Sequence, residues 1–175
     1  MSNFDGTYVL DPAHTTIGFV ARHAMVTKVR GHFTEFSSSV TVEGSTATVN
    51  ATIQTESITT GNNDHDDHVK GTDFFNTVEF PEMTFTSTSV SISGDKATVT
   101  GDLTIKGVTK QVDLDVSIDG IAEDPFGNTR LGFEARTKIN RTDFGIDFNA
   151  PLKTGGVLLP EEIKIEIEGS AIKQA

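Results

Sequence analysis

This sequence of 175 residues lacks several components, and each absence excludes a class of structure. It contains no cysteine, so it forms no disulfide, thiolate nucleophile or cysteine-based metal site. No apolar run approaches the roughly 20 residues of a transmembrane helix, and we therefore predict no integral membrane segment. The N-terminal MSNFDGTYVL has neither the basic nor the apolar region of a signal peptide, which predicts a cytoplasmic location.

Positive charge is also scarce. The 14 Lys and Arg residues oppose 25 Asp and Glu residues, which gives a net charge of −11 at pH 7. A surface this acidic repels phosphate backbones, so nucleic acid is not expected as a partner. The aromatic residues are almost all phenylalanine, with 12 Phe against one Tyr and no Trp. This bias fits a dry, aromatic-lined volume or, more simply, a packed core.

The sequence is rich in alternation of apolar and polar residues, which is typical of strands with one buried face. Residues 97–105 and 112–118 alternate on either side of a Gly-containing turn and predict a hairpin. Between residues 85 and 90 the apolar parity switches, which predicts a β-bulge. The same alternation recurs at residues 17–22, 40–42, 47–54, 131–139 and 163–168.

The pattern predicts an all-β protein that forms a single domain over residues 1–175. About eight long strands joined by short turns favour an eight-stranded antiparallel β-barrel, which removes open sheet edges, over a β-sandwich. A barrel of this size encloses either packed side chains or one small ligand. Periodicity does not distinguish these two interiors.

One short helix is predicted at residues 63–75 (NDHDDHVKGTDFF). Asn63 or Asp64 would cap it, acidic residues occupy its first turn, and Gly71 would end it. Because the segment runs into Phe74 and Phe75, we expect it to act as a lid over the barrel mouth. Neighbouring side chains point to different sides, so one phenylalanine is expected to face the core and the other the interior.

An ordered set of motifs runs through most of the chain. The motifs lie at residues 8–15 (YVLDPAHT), 19–23 (FVARH), 29–33 (VRGHF), 57–60 (SITT), 66–69 (DDHV), 73–75 (DFF), 80–81 (FP), 85 (F), 101–110 (GDLTIKGVTK) and 141–145 (RTDFG). Taken in this order, they resemble the YceI-like family, whose members are also called polyisoprenoid-binding proteins. The resemblance implies a lipocalin-like, extended antiparallel barrel that holds an amphiphilic chain, and a homodimer as the usual state. Isoprenoid chains, quinones and fatty-acid derivatives are the ligand classes that it implies.

Polar residues that could carry chemistry are few. His65 and His68 stand three apart on the predicted helix and could face a divalent metal, but a solvated helix start explains them more simply. His14, His23, Arg141 and Asp143 could act as acids or bases, but they are better explained as ties between barrel ends. No nucleophile elbow or phosphate-binding loop is present. We predict no catalytic residue, no metal and no cofactor.

The function predicted from the sequence is non-covalent binding, sequestration or transport of a long-chain apolar or amphiphilic molecule inside the barrel. Two alternatives stay open: an isomerase or cyclase acting on an apolar substrate, and a stress-response structural dimer with a filled core. The expected ligand contacts are inward or lid apolar residues and one histidine: Phe19, His23, Phe33, Phe36, Phe74, Phe75, Phe85, Leu103, Ile105, Leu114, Phe133 and Phe144.

Overall fold

The computed structural model describes residues 4–23, 26–148 and 160–175, except for the side chain of His23. These residues form eleven strands, one α-helix and three short 3-10 turns. The helix is α1 (Asn63–Lys70), and the 3-10 turns span Pro12–His14, Thr55–Ser57 and Arg141–Phe144. The strands are β1 (Gly6–Leu10), β2 (Thr16–His23), β3 (Thr27–Phe33), β4 (Phe36–Glu43), β5 (Thr46–Gln54), β6 (Ile58–Thr59), β7 (Glu82–Ser93), β8 (Lys96–Ile105), β9 (Val108–Glu123), β10 (Thr129–Asn140) and β11 (Glu162–Lys173).

Eight of these strands close into an antiparallel barrel, which confirms the predicted fold class. Their order around the ring is β1, β4, β5, β7, β8, β9, β10 and β11, and β1 then pairs with β11. Closure satisfies the backbone hydrogen bonds that an open sheet would leave at its edges. The strands β2, β3 and β6 extend from β11 as a branch, which the alternation alone does not separate from the ring.

The branch arises because the two halves of β11 have different neighbours. Residues 164–168 pair with β2, whereas residues 171–173 pair with β1. The chain passes from β1 to β2 through the Pro12–His14 turn. At the crossing, the Thr15 hydroxyl donates to the Ser170 carbonyl at 3.4 Å and accepts from its N–H at 3.3 Å. One end of the barrel, the base, is therefore walled by β1, and the opposite end by β2.

Two local predictions on the long strands are confirmed. β8 and β9 form the expected hairpin, joined by Lys106 and Gly107 with φ angles of 54° and 76°. A two-residue turn with positive φ at both positions matches the right-handed twist of the strands that it joins. The register between β7 and β8 shifts between Ser87 and Ser89, where the sequence predicts a bulge.

The helix α1 starts at the predicted residue, but its N-cap lies before the predicted Asn63 or Asp64. Its N-cap is Asn62, whose side-chain oxygen accepts hydrogen bonds from the N–H groups of Asp64 and His65. The predicted end at Gly71 is confirmed, but residues 72–79 then continue largely as turns. No helix in the described part of the chain combines the length and apolar character needed to cross a membrane. We call the barrel end at which α1 lies the mouth.

Candidate functional site

The inward strand faces enclose an apolar cavity towards the base, here called the deep chamber. Its volume is about 220 Å³, and its described wall exposes no polar atom. The side chains of the described residues leave this part of the barrel open, which disagrees with the filled-core alternative. Four of the expected ligand contacts lie in its wall: Phe85, Leu103, Leu114 and Phe133.

Phe4 and Tyr8 close the deep chamber at the base. Both line the chamber, and Tyr8 is only 2% exposed. The Tyr8 hydroxyl donates a hydrogen bond to the Phe4 carbonyl at 2.8 Å. Burial, and to a smaller extent the nearby Asp5, raises the pKa of the Tyr8 phenol. The only tyrosine in the chain therefore ties the N-terminal segment across the base.

A second cavity of about 330 Å³, here called the mouth chamber, lies beside α1. Its wall differs from that of the deep chamber because some of its polar atoms are exposed to the cavity. It carries polar side chains on the β6–α1 connection, α1 and the Arg141–Phe144 turn. These are Thr60, His65, His68 and Arg141. Six further expected contacts line it: Phe19, Phe33, Phe74, Phe75, Ile105 and Phe144.

Three apolar side chains border both chambers and so mark the place where the two meet. They are Ile17 on β2, Met83 on β7 and Ile165 on β11, and we call them the neck. Ile17 and Met83 are buried. The boundary between the chambers also divides one face of β8. Leu103 lines the deep chamber and Ile105, two residues further along, lines the mouth chamber.

The two lid phenylalanines face the same cavity, so the prediction that they diverge is wrong. The Phe75 ring meets Phe33 edge-on, with 5.8 Å between centroids. The Phe74 ring lies 5.0 Å from the His68 ring and 5.4 Å from the Phe148 ring. Both residues lie in the turns after α1, where the strict alternation of sides found in a strand does not hold.

Two sets of polar contacts join α1 and the turns after it to the chain segment that precedes the helix. The Asp66 carboxylate accepts hydrogen bonds from the Thr60 N–H at 2.7 Å and from the Thr60 hydroxyl at 2.6 Å. The Thr77 hydroxyl donates to Glu56 at 2.7 Å, and the Lys70 ammonium lies 3.5 Å from the same carboxylate. The hydroxyl hydrogen bonds are the main reason that the pKa of each carboxyl is lowered.

Two of the residues considered as acids or bases connect backbone segments or neighbouring side chains. Arg141 is buried, and its guanidinium donates to the carbonyls of Pro160 at 2.8 Å and Ile146 at 2.7 Å. Burial lowers the pKa of Arg141. At the base, the His14 Nδ1 lies 2.7 Å from the Asp11 carboxylate. These contacts fit the interpretation that such residues brace the barrel ends.

Two of the expected ligand contacts remain, Phe36 and His23. Phe36 is half-buried and packs against the core from β4, but it borders neither cavity. The side chain of His23 lies outside the described residues. The His68 Nε2 lies 3.1 Å from the Asp73 carboxylate. Within residues 4–22, 26–148 and 160–175, no three His, Asp or Glu side chains are grouped so that they could hold a metal ion.

Comparison with known proteins adds family and fold relationships to this geometry. The family profile of the YceI-like domain matches residues 8–171. A UPF0312 protein of Staphylococcus aureus strain MSSA476 is 41% identical over 172 residues, which is 95% of each chain. The crystal structure of the Campylobacter jejuni YCEI protein aligns over 100% of both chains, with a TM-score of 0.76 and 32% identity.

A more distant structure shares the fold. A polyisoprenoid binding domain from Saccharophagus degradans, implicated in plant cell wall breakdown, aligns with a TM-score of 0.71. The alignment covers 97% of this chain and 99% of that domain, at 13% sequence identity. At this identity the likeness establishes a common fold and nothing more.

Proposed function

The chain belongs to the YceI-like domain family, and we propose that it binds a long-chain apolar or amphiphilic molecule non-covalently inside its barrel. The observation that carries the proposal is the pair of apolar chambers that meet at the neck. A cavity whose wall exposes no polar atom offers nothing to a polar solute, whereas it stabilises hydrocarbon that leaves water. The ligand classes proposed are polyisoprenoids, isoprenoid quinones and fatty-acid derivatives.

The two chambers give the ligand an orientation. Each methylene moved from water into the deep chamber contributes ~0.8 kcal/mol before ordering costs are subtracted. A polar head group would lose its hydration there without gaining a partner, so the head belongs in the mouth chamber. Thr60, His65 and His68 line that chamber and offer hydroxyl and imidazole groups.

Non-covalent binding is favoured over catalysis by an isomerase or cyclase. Catalysis on the buried part of an apolar chain would need an acid or base directed at it. Among the described residues, the deep chamber presents no such group, since the Tyr8 hydroxyl is directed to the Phe4 carbonyl. The Saccharophagus degradans domain, named for polyisoprenoid binding, supports an apolar cargo for this barrel type.

Native mass spectrometry of the purified protein, followed by lipid extraction, tests the proposal. We expect an apolar long-chain molecule bound at one per barrel. Leu114→Trp should reduce the bound fraction because the indole would occupy the deep chamber. Asp115→Trp is the matched control, since Asp115 is the next residue of β9 and is exposed. Because the chain has no tryptophan of its own, fluorescence reports whether the introduced indole of each variant lies in an apolar or an aqueous environment.

Two results would contradict this function. One is a wild-type protein that carries no apolar molecule and takes up neither geranylgeraniol nor a long-chain fatty acid after delipidation. The other is turnover of such a molecule, with product released. Equal loading of Leu114→Trp and wild type would place the ligand outside the deep chamber.

The cytoplasmic location and the homodimer also stay part of the proposal. Cell fractionation with an antibody tests the location. Sedimentation equilibrium over a range of concentrations tests the oligomeric state. A monomer at all concentrations would contradict the dimer without affecting the proposed ligand, because both described chambers are built from one chain.

A further inference from the structure

We infer that Met83 sets which chain lengths this barrel accepts, by controlling passage from the mouth chamber through the neck into the deep chamber. The inference rests on the proposed function and adds a specificity-determining residue to it. It starts from the division of the interior into two cavities of about 330 and 220 Å³ that share only three of their described wall residues.

The neck brings together strands that are distant in the chain. Ile17 lies on β2, Met83 on β7 and Ile165 on β11. The two isoleucines belong to neighbouring strands, since β2 and β11 pair over residues 16–20 and 164–168. Met83 pairs with Ile53 of β5 and belongs to a different part of the wall. Because β7 and β11 lie four strands apart in the ring of eight, Met83 comes from the wall opposite the two isoleucines, at the place where the two cavities adjoin.

The side chains of the neck differ in how readily they move. Isoleucine is branched at Cβ, so its χ1 angle is restricted, and here both isoleucines lie in regular strand pairing. Methionine is unbranched, has three rotatable bonds and adapts to irregular space. A change of rotamer at Met83 is therefore the lowest-energy way to widen the neck. The strand backbones need not separate.

This arrangement makes affinity depend on chain length in two stages. A short chain occupies the mouth chamber and leaves Met83 in place. A longer chain must displace the Met83 side chain before its terminal methylenes gain from burial in the deep chamber. Affinity should therefore rise with each methylene, pause at the length that reaches the neck, and rise again for chains that pass it.

The test measures the affinity of delipidated protein for a homologous series of straight-chain primary alcohols, by displacement of a fluorescent apolar probe. The constant hydroxyl head makes chain length the only variable. In wild type we expect the pause described above. In Met83→Ala the pause should disappear. In Met83→Phe, chains too short to reach the neck should bind as in wild type, and each methylene excluded from the deep chamber should cost about fourfold in affinity.

The control is Ile58→Ala, which truncates a side chain only 3% exposed that borders neither chamber. It should lower the melting temperature and leave the length profile unchanged. Thermal melts of all variants show which are folded, and if Met83→Phe does not fold, Met83→Ala and Met83→Leu still decide the question. Met83→Leu should keep the pause.

The possible failures separate the inference from the proposed function. If wild type binds long alcohols and the profiles of Met83→Ala and Met83→Phe coincide with it, the role of Met83 is refuted while the binding function stands. If wild type binds no alcohol of any length and carries no apolar molecule, the binding function itself is refuted. A profile that changes equally in Ile58→Ala would assign the effect to general loosening of the core and would overturn the inference.

Discussion

At the scale of single residues, one arginine joins three parts of the barrel base. The Arg130 guanidinium of β10 donates to Asp11 at 2.8 Å and to Asp124 at 2.7 Å. Asp11 follows β1, and Asp124 begins the turn between β9 and β10. These hydrogen bonds are the main reason that the pKa of each carboxyl is lowered from 3.8 to about 2. The contacts that join these three parts of the base therefore depend on the charges of Arg130, Asp11 and Asp124.

The first prediction concerns acid stability. Because the folded-state pKa of Asp11 lies below its ordinary value, its contribution to stability is fully present above the ordinary pKa of 3.8 and is lost as the pH falls towards about 2. Asp11→Asn should therefore lower the melting temperature near neutral pH. The difference in melting temperature between Asp11→Asn and wild type should shrink as the pH falls from 3.8 towards about 2, as measured by thermal melts.

Asp102→Asn provides the control, because Asp102 is an exposed residue of β8 far along the chain from this cluster. Its melting temperature should follow that of wild type across the same range. A gap between Asp11→Asn and wild type that stays constant down to about pH 2 would show that the charge of Asp11 does not stabilise the base.

The sequence predicts which face of a strand each residue occupies much better than it predicts contacts in the turns. Alternation places Phe85 and Leu103 inside, and both line the deep chamber. Met83 and Ile17 share the parity of Phe85 and Phe19, so their inward direction was available from the same pattern. By contrast, Phe74 and Phe75 lie in turns, where no periodicity fixes the direction of a side chain, and there the prediction is wrong.

At the scale of secondary-structure elements, the Phe85 ring of β7 packs over Gly101 of the neighbouring strand β8. A Cβ atom built on Gly101 would lie 2.5 Å from Cζ of Phe85 and 2.6 Å from the carbonyl oxygen of Thr86. The second contact is with backbone, which cannot rotate away. A glycine at this position therefore allows Phe85 to lie flat along the inner wall, next to the bulge in β7.

The second prediction follows from this contact. Gly101→Ala should lower the free energy of unfolding by about 1–3 kcal/mol, the usual range for overpacking a core. Urea unfolding measures the change. Gly132→Ala in β10 is the matched control, because the nearest atom to its added methyl is Cβ of Asp119, at an ordinary 3.8 Å. Equal destabilisation of the two variants would contradict the close fit of Phe85 on Gly101.

The third prediction concerns the lid, residues 64–75. Phe74 and Phe75 of this segment line the mouth chamber, and the Phe75 ring contacts Phe33 of β3. A chain in the mouth chamber would touch these rings, so ligand should favour the closed lid. We expect hydrogen exchange in residues 64–75 to slow on binding, while residues 102–106, at the end of β8 and the start of the turn after it, change little.

A double variant, Phe74→Ala with Phe75→Ala, should speed ligand release more than it slows capture, as measured by stopped-flow fluorescence. Val78→Ala is the matched control, because Val78 lies in the same run of turns but is 95% exposed and borders no chamber. If exchange in the lid is already as slow as in β8 and does not respond to ligand, the helix is a fixed plug and not a lid.

At the scale of the whole molecule, the barrel follows from the sequence but its division does not. Strands with one apolar face need a shared interior, and short turns between them favour closure, so the ring could be predicted. The neck could not, because it depends on three residues, Ile17, Met83 and Ile165, that approach each other only when the ring is closed. Closure in turn depends on β1 pairing with both β4 and β11, and the place of Ile17 depends on β2 pairing with β11. No local pattern in the sequence reports these long-range pairings.

The last prediction is that removal of the ligand lowers the stability of the whole barrel. A ligand that binds only the folded state stabilises it in proportion to the logarithm of its excess, by about 2.7 kcal/mol at a hundredfold excess over Kd. For a domain of this size, that corresponds to about 5–10 °C in melting temperature.

Differential scanning calorimetry of the protein before and after delipidation measures the shift, and restoring the extracted molecule should reverse it. Leu114→Trp should melt at nearly the same temperature with and without the extract, since its deep chamber is occupied by the indole. An unchanged melting temperature in delipidated wild type would mean that the chambers are stable empty and that nothing bound in them contributes to the fold.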